Sequence, residues 1–290
     1  MERLGSLELR ARTLVEGVLA GMHASRLTGD NVEFAGHREY VPGDDIKNID
    51  WKAYGRRDRF YVKESVDETN LHAHLVVDIS GSMAYPGDGM PDEGVTKGAY
   101  AAQLAAALAC IVLEQGDAAG LYMFPGDYAP LPPRSSGLYL REIAFALESA
   151  GHQRGGSLAT AAARIAGAAT RRGMVVIISD LLDDDPAAPG AIAQLARRGH
   201  DVTVFHVLDR SELDFPFAGL SLFCDPESDG QVVAEPASIA KAYRAEFASF
   251  VERWRDACVN SGVDYRPAVT DSALEEVLRS FLQDRRRRIG

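Results

Sequence analysis

Several oxygen-bearing side chains follow apolar runs in this chain, at points where predicted strands end or a predicted helix begins. They are Asp78, Ser80, Ser82, Ser157 and Asp180. Two carboxylates and three hydroxyls form an all-oxygen set, which suits a hard cation such as Mg²⁺. We therefore predict a site for Mg²⁺, or for another divalent cation such as Mn²⁺ or Ca²⁺, with one coordination position left open for a ligand from another molecule.

The spacing of the first segment, Asp-x-Ser-x-Ser, favours convergence of its side chains. Gly81 lies between Ser80 and Ser82 and allows the backbone to turn tightly after the apolar run that ends at residue 77. Ser157 follows two glycines, and Asp180 ends the apolar run 175–179. The three segments are predicted to meet because ligands gather at the carboxyl ends of strands in open α/β sheets.

The elements that must position these residues are alternating strands and helices. Strands are predicted at 71–77, 119–124, 174–179 and 202–208, and helices at 93–114, 138–149, 157–170 and 187–198. Continuous apolar runs are typical of strands that are buried on both faces of a parallel sheet. The pattern predicts an α/β fold with an open, mostly parallel, Rossmann-like sheet flanked by helices.

The chain is predicted to have two parts. Residues 1–70 form a β-containing N-terminal extension with a Tyr-x-Pro-Gly-Asp-Asp motif at 40–45 and an Asp-Trp motif at 50–51, and 71–290 form the main domain. Segments 60–66 and 71–77 are strand-like and are predicted to pair antiparallel. Segment 209–235 is rich in turn residues, and a long helix from 237 to about 260, a strand near Val263 and a helix from Ser272 complete the chain.

Charge and composition narrow the classes of partner. A net charge of -11 argues against nucleic acid, whose binding depends on Lys and Arg. The run Arg285–Arg288 is interpreted as a helix C-terminus, where cations are favoured. Three widely spaced cysteines and a charged N-terminal segment without a signal core indicate a reducing compartment, the cytoplasm. The longest apolar run, 99–113, is shorter than the roughly 20 residues of a membrane span, so none is predicted.

Other interpretations of these residues stay open. Asp78 and Ser82 could cap a helix, and Asp180 could begin a turn, since these residue types are common in such places. His72 and His74 share one strand face, but no Cys or third His lies near them in the sequence, so we interpret them as part of a half-buried strand.

An enzyme is the strongest alternative function. A strand-terminal Asp78 with Mg²⁺ could act in phosphoryl transfer, yet Ser80 stands where such enzymes need a second carboxylate. The chain also lacks a GxxxxGK[ST] phosphate loop, a GxSxG nucleophile elbow and an HExxH zinc motif. We therefore predict a binding protein and not an enzyme. A purely structural domain with an empty site is the other alternative.

The three segments resemble the metal-ion-dependent adhesion site of von Willebrand factor A domains. In that family a strand-end Asp-x-Ser-x-Ser, a Thr on the next loop and a further Asp surround the ion. The resemblance implies metal ligation by Asp78, Ser80, Ser82 and Asp180. At the Thr position this chain has Ser157, with Thr160 as a possible substitute.

A second resemblance covers most of the chain from about Gly36 onward. The segments 38–45 and 49–51, ahead of the Asp-x-Ser-x-Ser strand, are similar to the signature of the bacterial family called domain of unknown function 58 (DUF58). Members are typically encoded beside MoxR-like AAA+ ATPases. The resemblance implies an adaptor or co-chaperone that acts with such an ATPase in protein assembly or maturation, through a partner carboxylate on the metal.

Overall fold

The computed structural model describes residues 6–26, 38–39, 61–62, 71–86, 95–183 and 185–289. The chain divides into two compact units, one of Met1–Leu19 with Leu71–Gly290 and one of Ala20–Asn70. In the smaller unit two short strands pair antiparallel. The motifs at 40–45 and 50–51 lie outside the described residues.

The described strands number ten. They are β1 Arg38–Glu39, β2 Tyr61–Val62, β3 His72–Asp78, β4 Ala118–Phe124, β5 Leu131–Arg134, β6 Met174–Ser179, β7 Asp201–Leu208, β8 Ser221–Cys224, β9 Gln231–Ala234 and β10 Asp264–Val269. Six of them form one sheet in the order β10-β7-β6-β3-β4-β5, in which only β5 runs antiparallel to its neighbour. The predicted α/β fold with an open, mostly parallel sheet is confirmed.

The predicted antiparallel pairing of 60–66 with 71–77 is wrong. Strand β3 has parallel neighbours on both edges, β4 and β6, and Tyr61–Val62 pairs with Arg38–Glu39. The physical reason is that β3 is almost wholly buried on both faces. Such a strand belongs in the centre of a parallel sheet, where it has no free edge for a hairpin partner.

The structure describes eight α-helices. They are α1 Ser6–Arg26, α2 Lys97–Glu114, α3 Tyr139–Ser149, α4 Leu158–Ala168, α5 Ala188–Arg197, α6 Arg210–Asp214, α7 Pro236–Asn260 and α8 Leu274–Ile289. Residues of α4, α5 and α7 share one apolar cluster with Val175, Ile177 and Val204 of the sheet. Phe205, whose side chain points to the opposite face because strand residues alternate, packs against Phe281 of α8.

Helix α2 is the one described helix that is long and apolar enough to cross a membrane by length and composition, and 72% of it is buried inside the structure. Its buried residues run from Lys97 through Leu113. Within the larger unit it contacts β3 and β4.

The segment predicted to be turn-rich contains a β-hairpin that the sequence analysis did not find. Among the described strands, β8 and β9 pair only with each other, and Leu222 lies opposite Val233. Phe223 packs against Phe215 and Phe217, whereas Leu222 and Val233 are exposed. The hairpin was missed because its strands are only four residues long and the segment between them carries Pro226 and Gly230.

The C-terminal arginines are bound by the protein's own acids. Arg285 pairs with Asp201 at 2.5 Å, and Arg288 pairs with Asp264 at 3.0 Å. Both arginines belong to the last turns of α8, where cations are favoured by the helix dipole.

Candidate metal site

Two buried carboxylates lie at the carboxyl ends of the central strands. Asp78 is the last residue of β3, and Asp180 directly follows β6. The two strands are parallel neighbours, with Val77 opposite Ile178. Only 5% of Asp78 and 2% of Asp180 is exposed to solvent. The sheet topology thus brings together two acids that are about a hundred residues apart in the sequence.

The loop after β3 surrounds these acids with hydroxyl groups. The backbone N–H of Ser80 donates to Oδ1 of Asp78 at 2.9 Å, and the hydroxyls of Ser80 and Ser82 lie 3.0 Å apart. Ser82 lies in a short 3-10 helix, Gly81–Ala84, and a hydrogen bond from its side chain is one of the causes that lower the pKa of Asp180. The structure therefore brings together Asp78, Ser80, Ser82 and Asp180.

Among the described residues, Asp78 has no positively charged partner. Its second carboxylate oxygen accepts a hydrogen bond of 2.5 Å from Ser179, and no ion pair to Asp78 occurs among the described residues. Burial and the nearby charge of Asp180 raise the pKa of Asp78 to about 7, against the weaker opposing effect of the Ser179 and Ser80 hydrogen bonds. An added cation would relieve this unfavourable charge.

Asp180, in contrast, is paired with a lysine that the sequence analysis did not find. Lys97 is fully buried, and its Nζ lies 2.8 Å from Oδ2 of Asp180 and 2.6 Å from Oε1 of Glu212. Burial alone would lower the pKa of Lys97, but these two carboxylates raise it above its ordinary value. Burial likewise acts to raise the pKa of Asp180, yet Lys97 outweighs it and the pKa is lowered.

A signal for Lys97 does exist in the sequence. Thr96 caps α2, so Lys97 is the first residue of that helix. A cation in the first helical turn is disfavoured by the helix dipole and implies a compensating acid nearby. The position of Lys97 at the helix start is therefore a weak signal for an acidic partner, and it does not indicate which acid that is.

The backbone of Asp180 is held by a buried histidine. Nε2 of His206 donates to the carbonyl oxygen of Asp180 at 2.9 Å, and Nδ1 accepts from the hydroxyl of Tyr265 at 2.6 Å. Burial lowers the pKa of His206 to about 4, so the imidazole is neutral near pH 7. The next residue, Leu181, is fully buried at a φ of 58°, a left-handed conformation that is rare for leucine.

The third predicted loop approaches the first, but its hydroxyl is bound elsewhere. The N–H of Gln153 donates to the carbonyl of Ile79 at 2.9 Å, which joins the two loops. Ser157 donates to Asp185 at 2.6 Å and accepts from the N–H of Ala159, as the cap of α4. Thr160, the alternative ligand, is exposed on α4. No hydrogen bond joins Ser157 or Thr160 to Asp78 or Asp180 in the structure.

A further acidic residue lies beside the site, and no pattern in the sequence indicates it. Glu227, between β8 and β9, accepts hydrogen bonds from the N–H of Ser82 at 2.8 Å and of Gly155 at 3.1 Å. It comes from a segment 145 residues after Ser82. Residue types in an irregular loop carry no information about such a distant contact.

The donor set fits a hard cation. Asp78, Asp180 and Glu212 with one ammonium group leave two negative charges unbalanced when all three acids are ionised, which a single divalent ion would neutralise. No group of three His, Cys, Asp or Glu side chains that could hold a metal occurs in the described part of the chain. This is expected for a site of two acids and hydroxyls, and His72 and His74 form no such group.

Comparison with known proteins places the chain in a family. The family model described as "Protein of unknown function DUF58" matches residues 36–257. This chain belongs to the DUF58 family. The matched DUF58 region contains Asp78, Lys97, Asp180 and Glu227, and it ends within α7, so β10 and α8 lie outside it.

The names of similar proteins give no activity. The DUF58 chain is 31% identical over 253 residues to the uncharacterized proteins Mb1516 of Mycobacterium bovis and Rv1480 of Mycobacterium tuberculosis, covering 84% of this chain and 75% of each relative. Among solved structures, the conserved hypothetical protein BatB of Bacteroides thetaiotaomicron is 17% identical, with a TM-score of 0.48 over 74% of this chain and 98% of that one.

Proposed function

We propose that this DUF58 protein binds a divalent cation, Mg²⁺ first of all, at Asp78, Ser80, Ser82 and Asp180, and uses it to bind a carboxylate of a protein partner. The observation that carries the proposal is Asp78, a buried acid to which no described residue supplies a counter-charge and which lies beside a second acid and two hydroxyls. Burying an ionised carboxylate is costly unless a cation compensates it.

The protein's own groups would fix the site before any ligand arrives. Lys97 and His206 hold the side chain and the backbone of Asp180, and Ser179 holds Asp78. Preorganised groups bind an ion at a smaller entropic cost than mobile ones. We propose no catalytic role, because Ser80 provides no acid or base two residues after Asp78.

The partner in this proposal is a MoxR-like AAA+ ATPase, and the protein acts with it as a cytoplasmic adaptor or co-chaperone in protein assembly. This part of the proposal is supported by the resemblance of the segments 38–45 and 49–51 to the DUF58 signature. The likeness of the site to that of von Willebrand factor A domains is supported in the same way, by the resemblance of the Asp-x-Ser-x-Ser segment and Asp180. The cation site supplies the chemistry for it, since a bound divalent ion with a free coordination position accepts a carboxylate oxygen.

Cation binding is tested by isothermal titration with Mg²⁺ and Mn²⁺. We expect wild-type protein to bind either ion and Asp78→Ala to bind neither, while circular dichroism shows that the variant is folded. Asp127→Ala removes a fully exposed carboxylate and is the matched control. Equal binding by Asp78→Ala and wild type would exclude the proposed site.

The third-loop ligand is decided by two further variants. Ser157→Ala removes the cap of α4 and is expected to lower the free energy of unfolding by about 1 kcal/mol. If Ser157 is a ligand in the loaded protein, the same variant also weakens Mn²⁺ binding, whereas Thr160→Ala does not. The reverse result would assign the ligand to Thr160.

Partner capture is tested by co-purification from cells with and without chelator. We expect an AAA+ ATPase to be recovered with wild-type protein in Mg²⁺, and to be lost in chelator or with Asp78→Ala. Recovery that is unchanged by chelator would contradict a metal-bridged contact.

A second candidate function is a binding domain that uses no metal. It is favoured by Lys97, which already supplies a positive charge to Asp180 inside the site. In that case neither cation binds in the titration, and partner capture is the same in Mg²⁺ and in chelator.

A further inference from the structure

The tip of the β8–β9 hairpin, residues 225–230, lies against the loop that carries the candidate site. Both carboxylate oxygens of Glu227 are used there, Oε1 by the N–H of Ser82 and Oε2 by the N–H of Gly155. Glu227 is partly buried, whereas Pro226 and Ser228 on either side are exposed. One acid is thus directed inward from an otherwise exposed tip.

The contact is shaped by the residues on both sides. Asp225 accepts hydrogen bonds from the N–H of Glu227 at 2.9 Å and the hydroxyl of Ser228 at 2.5 Å, which fixes the tip. Across from it, a methyl group at Gly81 would collide with the carbonyl oxygen of Pro226. Only a residue without a side chain at position 81 allows the tip to approach this closely.

The charge of Glu227 makes this position unusual. A carboxylate lies next to the loop of two buried acids in a protein with a net charge of -11. Like charges in one region repel each other, so the two N–H groups must outweigh this repulsion. Those N–H groups form a seat for a carboxylate at the edge of the candidate metal site.

We propose that Glu227 is an internal competitor, which occupies the carboxylate seat formed by the N–H groups of Ser82 and Gly155 until the carboxylate of a protein partner displaces it. The inference rests on the proposed function, because it names how that site is regulated. The ligand class is the side-chain carboxylate of an acidic residue.

The position of the hairpin allows its tip to move away from the loop that carries Ser82. Among the described strands, β8 and β9 pair only with each other, and they are not part of the six-stranded sheet. The other charged contact of the tip, between Arg154 and Asp229 at 2.7 Å, is largely exposed and contributes little. Displacement of Glu227 therefore leaves the main sheet unchanged.

The seat is tested with a defined probe, N-acetylglutamate α-amide, which offers one side-chain carboxylate. Binding is followed by NMR through the amide signals of Ser82 and Gly155, in Mg²⁺ and in chelator. We expect Glu227→Ala to bind the probe at least about tenfold more tightly than wild type, a difference of about 1.4 kcal/mol. Asp229→Ala, at the same hairpin tip, is the matched control and should bind like wild type.

A second variant opens the seat without removing the carboxylate. In Gly81→Ala the added methyl meets the carbonyl oxygen of Pro226 and lies 3.3 Å from Oε1 of Glu227, so the amide signals of Ser82 and Gly155 should shift as they do in Glu227→Ala. If the probe binds wild type and Glu227→Ala equally, or if the signals of Ser82 and Gly155 do not move when Glu227 is removed, the proposal is overturned.

The outcomes separate this inference from the proposed function. If wild type binds the cation but Glu227→Ala binds the probe no more tightly than wild type, the metal site is supported and the role of Glu227 as a competitor is excluded. Tighter probe binding by Glu227→Ala in chelator, without any cation binding, would keep the carboxylate seat and overturn the metal-dependent function.

Discussion

The two acids of the candidate site come from neighbouring strands and are buried to a similar extent, yet their electrostatic states are opposite. Asp180 has Lys97 at 2.8 Å and a lowered pKa, whereas Asp78 is contacted, among the described residues, by uncharged hydrogen-bond donors and has a pKa raised to about 7. Burial is therefore not what separates them. A single counter-ion does.

This difference shows how the site can be rigid and still require a ligand. The Asp180 half already contains a counter-ion, because Lys97 pairs with both Asp180 and Glu212, which leaves one negative charge in this group unbalanced. The Asp78 half is complete only with an added cation or a proton. The Asp180 half fixes the geometry of the site, and the Asp78 half provides the affinity for a cation.

The largest expected effect on stability comes from removing Lys97, the counter-ion of Asp180. Lys97→Met leaves two buried acids unpaired and should lower the free energy of unfolding in chelator by about 3–5 kcal/mol. Urea denaturation measures this. In the double variant Lys97→Met with Asp180→Asn we expect part of the loss to be recovered. A loss below about 1 kcal/mol would show that Lys97 is not a structural counter-ion.

Neutralising each acid in turn should give changes of opposite sign. In chelator, Asp180→Asn takes a partner from Lys97 and is destabilising, whereas Asp78→Asn removes an uncompensated charge and is neutral or stabilising. We expect the two variants to differ by about 3 kcal/mol in the free energy of unfolding. Equal losses in both would mean that Asp78 is compensated by a group other than an added cation.

A smaller effect on stability tests whether burial without a compensating group also disfavours the charged form of another side chain on β3. His74 is buried without a hydrogen-bond partner for Nδ1, and burial, aided by His200 and His72, lowers its pKa to about 4. The unfolded chain therefore binds a proton below pH 6.5 that the folded chain binds only near pH 4. The contribution of His74 to stability is fully present above pH 6.5 and is lost as the pH falls towards 4.

The measurement is the free energy of unfolding at pH 7.5 and pH 4.5. His74→Gln should lose less stability over this range than wild type, by on the order of 2 kcal/mol. His152→Gln, at an exposed histidine, is the control. If wild type and His74→Gln have the same pH dependence, His74 is not held neutral by the fold.

The central sheet and the acids at its edge were predictable because their signals are local. A run such as Met174–Ser179 is apolar throughout, and the structure begins and ends β6 at the predicted residues. The parallel order of such strands then brings Asp78 and Asp180 together. The short, proline-containing strand β5 gives no comparable pattern and was missed.

The rest of the site depends on contacts between distant residues. Lys97 reaches Asp180 across 83 positions and Glu212 across 115, and Glu227 reaches Ser82 across 145. No periodicity or spacing encodes such pairs. The role of Ser157 was ambiguous for another reason, since a hydroxyl at a helix start serves equally as a cap or as a ligand.

Leu181 links the site to the packing of the whole domain. Its left-handed backbone is unfavourable by roughly 1–3 kcal/mol for a residue with a side chain, and what compensates it is the fully buried leucine side chain in the cluster shared by α4, α5 and α7. A cavity made in that cluster, for example by Ile192→Ala, would weaken the anchor and let the chain around Asp180 relax. Ligand affinity should then respond to substitutions that never touch the ligand.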